Sequence, residues 1–346
     1  MKNILSIVIV LGFTANLAAQ DIHFSNYDQA PLQLNPANTG ISQGSHRAFM
    51  NYKKQWNSVS NGFKTMGASY DLSLSKSRNN NYLGMGINFY SDKSGLLSMG
   101  TTLFDLFVAY HLKLDQNSSF SGGIKGGIHQ RSITSNGMQW GNQYDASMEG
   151  FNGGLTSSEQ GTFGSFTNAD FSAGLAWNYN SSTSTLSSND AFLARVGFSI
   201  HHLHSPYLSY TGGQNERLAR KFVFHGKVRY GIPNTNLQIE PKTVITFQST
   251  AKEIMFGSNF RYILNEKSKY TSFNGGTALS VGVNYRLKDA IILSSMLEYG
   301  KFAVGINYDI NISQLTVASG GRGGVEFCLK FITPNPFGGS SDTPSF

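Results

Sequence analysis

The chain has 346 residues, of which 14 % are charged and 13 % are aromatic, and it contains 38 glycines. Soluble domains usually contain about 25 % charged residues, so this composition, with few runs at helical spacing, disfavours a helical bundle or an α/β enzyme and favours an all-β protein. The net charge of +7 does not indicate nucleic-acid binding, because the basic residues are scattered along the chain. The single cysteine, Cys328, excludes an internal disulfide framework and an all-thiolate metal site.

The first residues have the pattern of a secretory signal peptide. Lys2 gives a short basic start, residues 4–15 are almost wholly apolar, and small residues follow at Ala18 and Ala19. We therefore predict that residues 1–19 are removed by cleavage before Gln20. The apolar stretch is too short to span a membrane. Because no cysteine follows the predicted cut, a bacterial lipid anchor is not expected.

The next segment, residues 20–46, is predicted to be irregular but ordered. Its prolines and asparagines favour extended and turn conformations. It also contains the anchors Phe24, Tyr27 and Leu34, which disordered tails usually lack. The segment is expected either to plug the barrel described below or to present itself to periplasmic components.

From residue 47 to residue 332 the chain alternates apolar and polar residues with a period of two, which is typical of strands. The alternation is unbroken in the stretch 65–74, and it returns at 83–89 after a polar loop, which predicts a hairpin. The pattern predicts about 14 strands, each near the roughly 10 residues that a tilted membrane-spanning strand needs. The predicted strands are 47–53, 65–74, 83–89, 101–114, 120–131, 171–179, 192–201, 222–230, 237–248, 253–263, 279–287, 291–299, 302–310 and 325–331.

The two faces of these strands indicate the solvent that each one meets. One face is rich in Phe, Tyr, Trp and Leu, whereas the other carries Gly, Ser, Asn and charged residues, without enough apolar residues for the core of a second sheet. A secreted β-sandwich also shows alternation. However, many long strands with uneven loops fit a transmembrane antiparallel β-barrel better, because closure satisfies every backbone group in lipid. The fold expected is therefore an outer-membrane barrel over residues 47–332 that follows an irregular N-terminal segment.

The connections predict an orientation. With the mature N-terminus in the periplasm, the outer connections would be 54–64, 91–100, 132–165, 202–219 and 311–321. The periplasmic turns would be mostly short, which is the asymmetry usual for such barrels. An even number of strands returns the chain to the periplasm, so the tail 333–346 is expected there.

The polar face is predicted to be basic. The basic residues outnumber the acidic ones on that face, and a basic lumen would attract an acidic segment. Alternatively, the charges pair with one another across neighbouring strands. The basic residues concerned are Arg47, Lys125, Arg131, Arg195, Lys227, Arg229 and Arg286, and the acidic ones are Asp71, Asp105, Asp309 and Glu326.

Signs of catalysis or of a cofactor are weak. His201, His202 and His204 could bind a metal, but no cysteine or carboxylate pattern accompanies them, so a polar strand end is preferred. The sequence shows no nucleophile elbow and no paired-carboxylate constellation. We therefore expect no enzymatic activity, no cofactor and no metal. Trp56 fits either a partner anchor or a residue of the aromatic belt.

Several motifs stand near the start of the predicted mature chain. They are F-S-N-Y at 24–27, P-L-Q-L-N-P-A-N-T-G at 31–40, N-Y-K-K-Q-W at 51–56 after Arg47, and S-Y-D at 69–71. Together they resemble the opening of the PorP/SprF family. Members of this family are outer-membrane proteins of Bacteroidota linked to the type IX secretion system and to gliding. The resemblance implies a non-enzymatic protein that docks periplasmic or outer-membrane secretion components and a secreted adhesin-like protein, or its C-terminal sorting domain, for export or surface retention.

The resemblance and the anchors together give a set of candidate residues for partner binding or for plugging the lumen. They are Phe24, Tyr27, Leu34, Asn35, Pro36, Arg47, Gln55, Trp56 and Asp71. The main alternative function is an outer-membrane channel for a small solute. In that case the lumen should be open or constricted by an in-folded loop.

Overall fold

The computed structural model describes residues 21, 23–42, 44–56, 62–74, 81–95, 99–133, 139–156, 165–181, 192–208, 217–265, 276–314 and 316–333. The predicted signal peptide 1–19 lies outside these residues, as does the predicted tail 333–346 except for its first residue. No helix within the described ranges is long and apolar enough to cross a membrane.

Antiparallel strands close into a barrel in which the first strand pairs with the last. The 14 strands of the barrel are β1 (His46–Gln55), β2 (Phe63–Leu74), β3 (Tyr82–Ser94), β4 (Met99–Lys113), β5 (Ser118–Ser132), β8 (Phe166–Asn180), β9 (Phe192–His201), β10 (Lys221–Gly231), β11 (Leu237–Gln248), β12 (Ala251–Asn265), β13 (Thr277–Arg286), β14 (Ala290–Tyr299), β15 (Phe302–Asn311) and β16 (Arg322–Ile332). A separate small hairpin, β6 (Tyr144–Asp145) and β7 (Gly150–Phe151), lies in the connection between β5 and β8. The predicted fold class is confirmed, including the number of strands.

Side chains alternate between the outside of the barrel and its lumen, with the apolar ones outside. On β15, Val304 is 54 % exposed, whereas Asp309 in the lumen is 1 % exposed. Phe327 and Leu329 on β16 are likewise exposed, while Cys328 between them is buried. This distribution is the reverse of that in a soluble protein. It fits a barrel whose outer surface meets hydrocarbon and whose closure leaves no strand edge unpaired in lipid.

The two ends of the barrel differ in the connections they carry. The longest connections, 133–165 and 202–220, lie at the end where β1 finishes, which we call the long-loop end. The turns 114–117, 232–236 and 300–301 lie at the end where β1 begins, which we call the short-loop end.

Candidate functional site

The N-terminal segment runs through the lumen from one end of the barrel to the other. We call residues 21–45 the plug. Asp21 lies at the long-loop end, where His202 Nε2 is 2.6 Å from its Oδ2, and the chain then descends to His46 at the short-loop end. The sequence predicted that the mature N-terminus lies in the periplasm and that the long connections lie outside. Contacts of Asp21 with the lumen wall instead place it at the same end as those connections.

Proline and asparagine give the plug its short helical turns. These turns are a 3-10 turn (Tyr27–Gln29), a short α-helix (Pro31–Leu34) and a second 3-10 turn (Pro36–Asn38). Pro31 and Pro36 occupy first helical positions, where the missing N–H costs nothing. Asn35 caps the last turn, since its Oδ1 accepts a hydrogen bond from Ala37 N at 2.8 Å.

Asn35 also fixes the plug to the wall formed by β8, β9 and β10. Its Nδ2 donates to Leu175 O at 3.0 Å and lies 3.1 Å from His225 Nε2. Two glycines of the wall make this approach possible. A Cβ at Gly174 would stand 2.0 Å from Asn35 Oδ1, and one at Gly197 would stand 2.8 Å from Asn35 Nδ2.

Arg47 and Asp71 hold the plug near the short-loop end. Arg47 Nε and Nη2 donate to the two oxygens of Asp71 at 2.9 and 2.7 Å. Nη2 also donates to Asn38 O at 2.9 Å, and Gly40 N donates to Asp71 Oδ2 at 2.6 Å. One buried ion pair thus joins β1, β2 and the plug.

Charged residues of the wall bind the middle of the plug. Lys227 and Lys242 place their Nζ atoms 3.4 and 2.8 Å from Asp28 Oδ2. Two lysine charges of the wall therefore face one carboxylate of the plug. On the other side of the lumen, Ser25 N donates to Glu326 Oε2 at 2.7 Å. Basic residues of the lumen therefore pair both with acidic residues of the wall and with the plug, as Lys227 does with Glu240 and Asp28.

A histidine between two carboxylates holds the plug at the long-loop end. His202 Nδ1 lies 2.8 Å from Asp170 Oδ1, while its Nε2 faces Asp21. Because carboxylates only accept, an imidazolium that donates to both satisfies the arrangement. Burial opposes the charged form of His202, but Asp21 and Asp170 outweigh it and raise the pKa of His202. Burial likewise opposes ionisation of Asp21, yet His202 holds the pKa of Asp21 far below its usual range.

The same cluster resembles a metal site in composition. His129, Asp170 and His202 lie close enough together to share an ion. However, both ring nitrogens of His202 face carboxylates, and Lys125 Nζ lies 2.9 Å from Asp170 and 3.4 Å from Asp105. The lysine already occupies the place between the carboxylates that a cation would take. The arrangement is that of an ion-pair network that binds the plug.

An apolar cavity opens beside the plug at the long-loop end. Its empty space, counted together with the part open to solvent, is about 690 Å³. Its lining includes Phe24, Tyr27, Ala30, Leu34, Val223, Val244 and Met255. The sequence pattern did not predict this cavity. The residues that could have indicated it are Val223, Val244 and Met255, which are apolar at lumen positions, where the barrel pattern predicts polar residues.

The structure brings together most of the residues that the sequence suggested. Phe24, Tyr27, Leu34, Asn35 and Pro36 belong to the plug, and Arg47 and Asp71 bind it from the wall. Gln55 is instead the last residue of β1 at the long-loop end, and Trp56 follows it. There Trp56 stacks edge-on against Phe63, with ring centroids 5.1 Å apart.

Three solved structures to which this chain is similar match it with low scores. BamA from Haemophilus ducreyi, lacking POTRA domains 1–3, gives a TM-score of 0.43 at 11 % identity over 84 % of this chain and 70 % of that one. Omp33 of Acinetobacter baumannii gives 0.40 at 10 % identity over 85 % and 100 %. A deletion mutant of the monoaromatic hydrocarbon channel TodX gives 0.48 at 10 % identity over 88 % and 94 %. These similarities concern the fold alone.

The sequence comparisons identify the family. No curated protein matches the chain. The family model of the type IX secretion system membrane protein PorP/SprF matches residues 16–331, which is nearly the whole chain. This match agrees with the barrel, its apolar outer face and an outer-membrane location. The chain therefore belongs to the PorP/SprF family of type IX secretion system membrane proteins.

Proposed function

We propose that this protein is a non-enzymatic docking component of the secretion system, which receives a secreted adhesin-like surface protein at the long-loop end. The observation that carries the proposal is the plug, which binds to the lumen wall at several places around the barrel. Asn35 contacts β8, β9 and β10, Asp28 contacts β10 and β11, and Ser25 contacts β15 and β16. A lumen filled in this way favours docking over the open passage that a porin needs.

The connections at the long-loop end offer apolar side chains to a partner. Met148, between β6 and β7, is 66 % exposed, and Val317 in the connection between β15 and β16 is 96 % exposed. Tyr144 and Phe151 of the small hairpin are exposed as well. None of these residues belongs to a barrel strand, so hydrocarbon does not explain their exposure. Exposed apolar side chains outside the membrane are typical of protein-binding surfaces.

The apolar cavity beside the plug lies in the same region and could receive a side chain of a partner. Its lining includes Lys221, the first residue of β10, and Gln248, the last residue of β11, both at the long-loop end. Binding energy in protein interfaces concentrates where a large side chain fills a desolvated pocket. We infer that an apolar side chain of the secreted protein enters this cavity while the connections hold the surrounding surface.

Affinity purification from detergent-solubilised envelopes tests the proposal. The wild-type protein should co-purify a secreted surface protein together with secretion components. Met148→Asp combined with Val317→Asp should lose the surface protein. Leu114→Asp places the same change on an exposed residue at the short-loop end and should retain it. Repeated absence of a surface protein from the wild-type sample, or its equal recovery with the double variant, would contradict the proposal.

Conductance in planar bilayers tests the alternative of a solute channel. The full-length protein should show little steady current, because its own plug occupies the lumen. Removal of residues 21–44 behind an intact signal peptide should produce large currents through the emptied barrel. Large and steady currents from the full-length protein would instead favour the channel.

A further inference from the structure

A second cavity lies between the plug and the wall towards the short-loop end. Its empty space, counted together with the part open to solvent, is about 500 Å³. Most of its lining residues are polar or charged, although Phe49 and Met296 also line it. Asn26, Asp28 and Gln29 of the plug form one side. Lys330, Glu298 and Arg229 form part of the other, and each lies within two residues of the end of its strand.

The acidic groups around this cavity are already paired. Glu240 lies 3.2 Å from Lys227 Nζ and also accepts a hydrogen bond from Arg229 Nε. Glu298 accepts from Arg261 Nη2 at 2.6 Å. Asp28 is shared by Lys242 and Lys227, as described above. Three carboxylates therefore pair with four cationic side chains, none of which is Lys330. The carboxylates are those of Glu240, Glu298 and Asp28, and the cations are Lys227, Arg229, Arg261 and Lys242.

Lys330 is the cation left over. It is 9 % exposed, it lines the cavity, and no described residue forms an ion pair or a hydrogen bond with its ammonium group. Its neighbour Glu298 is engaged by Arg261. A buried charge without a partner is costly, and an anion that supplies the partner stabilises the site.

We propose that this cavity is a binding site for a small oxyanion, which carries a carboxylate or phosphate group and accepts hydrogen bonds from Lys330. The lumen-facing serines Ser280 and Ser294 line the same cavity, and their hydroxyl groups are further possible donors. Lys227 and Arg229 add positive charge around it. The site is independent of any protein docked at the long-loop end.

Calorimetric titration of the purified protein in detergent tests the site. Succinate is the carboxylate probe, glycerol 1-phosphate is the phosphate probe, and neutral succinamide is the control, all at constant ionic strength. Saturable binding of one of the two anions without binding of succinamide supports the proposal and identifies the group recognised. Absence of saturable binding by both anions overturns it.

Variants locate the binding. Lys330→Met should bind the anion at least about tenfold more weakly, as expected from loss of a charge-assisted hydrogen bond. Lys330→Gln provides the same test with a polar side chain should Lys330→Met fail to fold. Lys301→Met removes one positive charge from an exposed turn at the same end and should bind like the wild type. Unchanged affinity in the Lys330 variants would overturn the assignment.

Discussion

Arg47 on β1 donates two hydrogen bonds to Asp71 on β2 and a third to the carbonyl of Asn38 in the plug. The two wall residues lie opposite each other in the register of the two strands. The buried ion pair thus links the first two strands of the barrel to the plug. Its removal should affect both.

Loss of one partner should destabilise the protein strongly. Asp71→Asn leaves the buried Arg47 without its carboxylate, which typically costs about 3–5 kcal/mol in the free energy of unfolding. Urea unfolding of the detergent-folded protein measures this change. Removal of both charges in Arg47→Met with Asp71→Leu should cost less than the single change. A single variant as stable as the wild type would show that the pair does not hold the plug.

A side chain added to the wall next to Asn35 should displace the plug without removing any charge. Gly174→Ala places a Cβ 2.0 Å from Asn35 Oδ1, whereas the Cβ of Gly226→Ala in a neighbouring part of the wall meets nothing closer than 3.7 Å. We expect Gly174→Ala to lose about 1–3 kcal/mol of stability and to show more frequent channel openings in planar bilayers. Gly226→Ala is the control, and equal behaviour of the two variants would contradict the contact.

The ion pair of His202 with Asp21 should depend on pH. The pKa of His202 is raised above 6.5, so its contribution to stability is complete below that value and is lost as the pH rises through its folded pKa. The pKa of Asp21 is lowered from 3.8, so its contribution is lost only as the pH falls below 3.8. The difference in thermal stability between wild type and His202→Gln should therefore be largest between these two values. A difference that grows above pH 6.5 would contradict this assignment.

The start of the plug should be accessible from outside the cell. Long loops of outer-membrane barrels face outward, and His23 lies at the long-loop end next to Glu253, 3.1 Å away. In a Cys328→Ser background, His23→Cys should react with a membrane-impermeant maleimide on intact cells. Asp115→Cys, in a turn at the short-loop end, should react only after permeabilisation. The reverse pattern would show that the barrel has the opposite orientation.

Local pattern was enough to establish the barrel. A period of two is a property of neighbouring residues, so stretches such as 65–74 and 83–89 indicated their strands without knowledge of the rest of the chain. The apolar face of the strands, together with the predicted signal peptide, indicated that this face meets lipid. The motifs at 24–27 and 31–40 indicated the family, and the family match confirmed it.

The path of the plug was decided only by tertiary structure. Ser25 binds Glu326, which is 301 positions away, and Asn35 binds the wall 140 to 190 positions away. The apolar cavity and the unpaired Lys330 depend in the same way on side chains from several strands and from the plug. The sequence determined each strand and the face it turns to lipid, because those depend on adjacent residues. Which polar groups meet inside the barrel depends on closure, which brings distant residues together and cannot be inferred from any one segment.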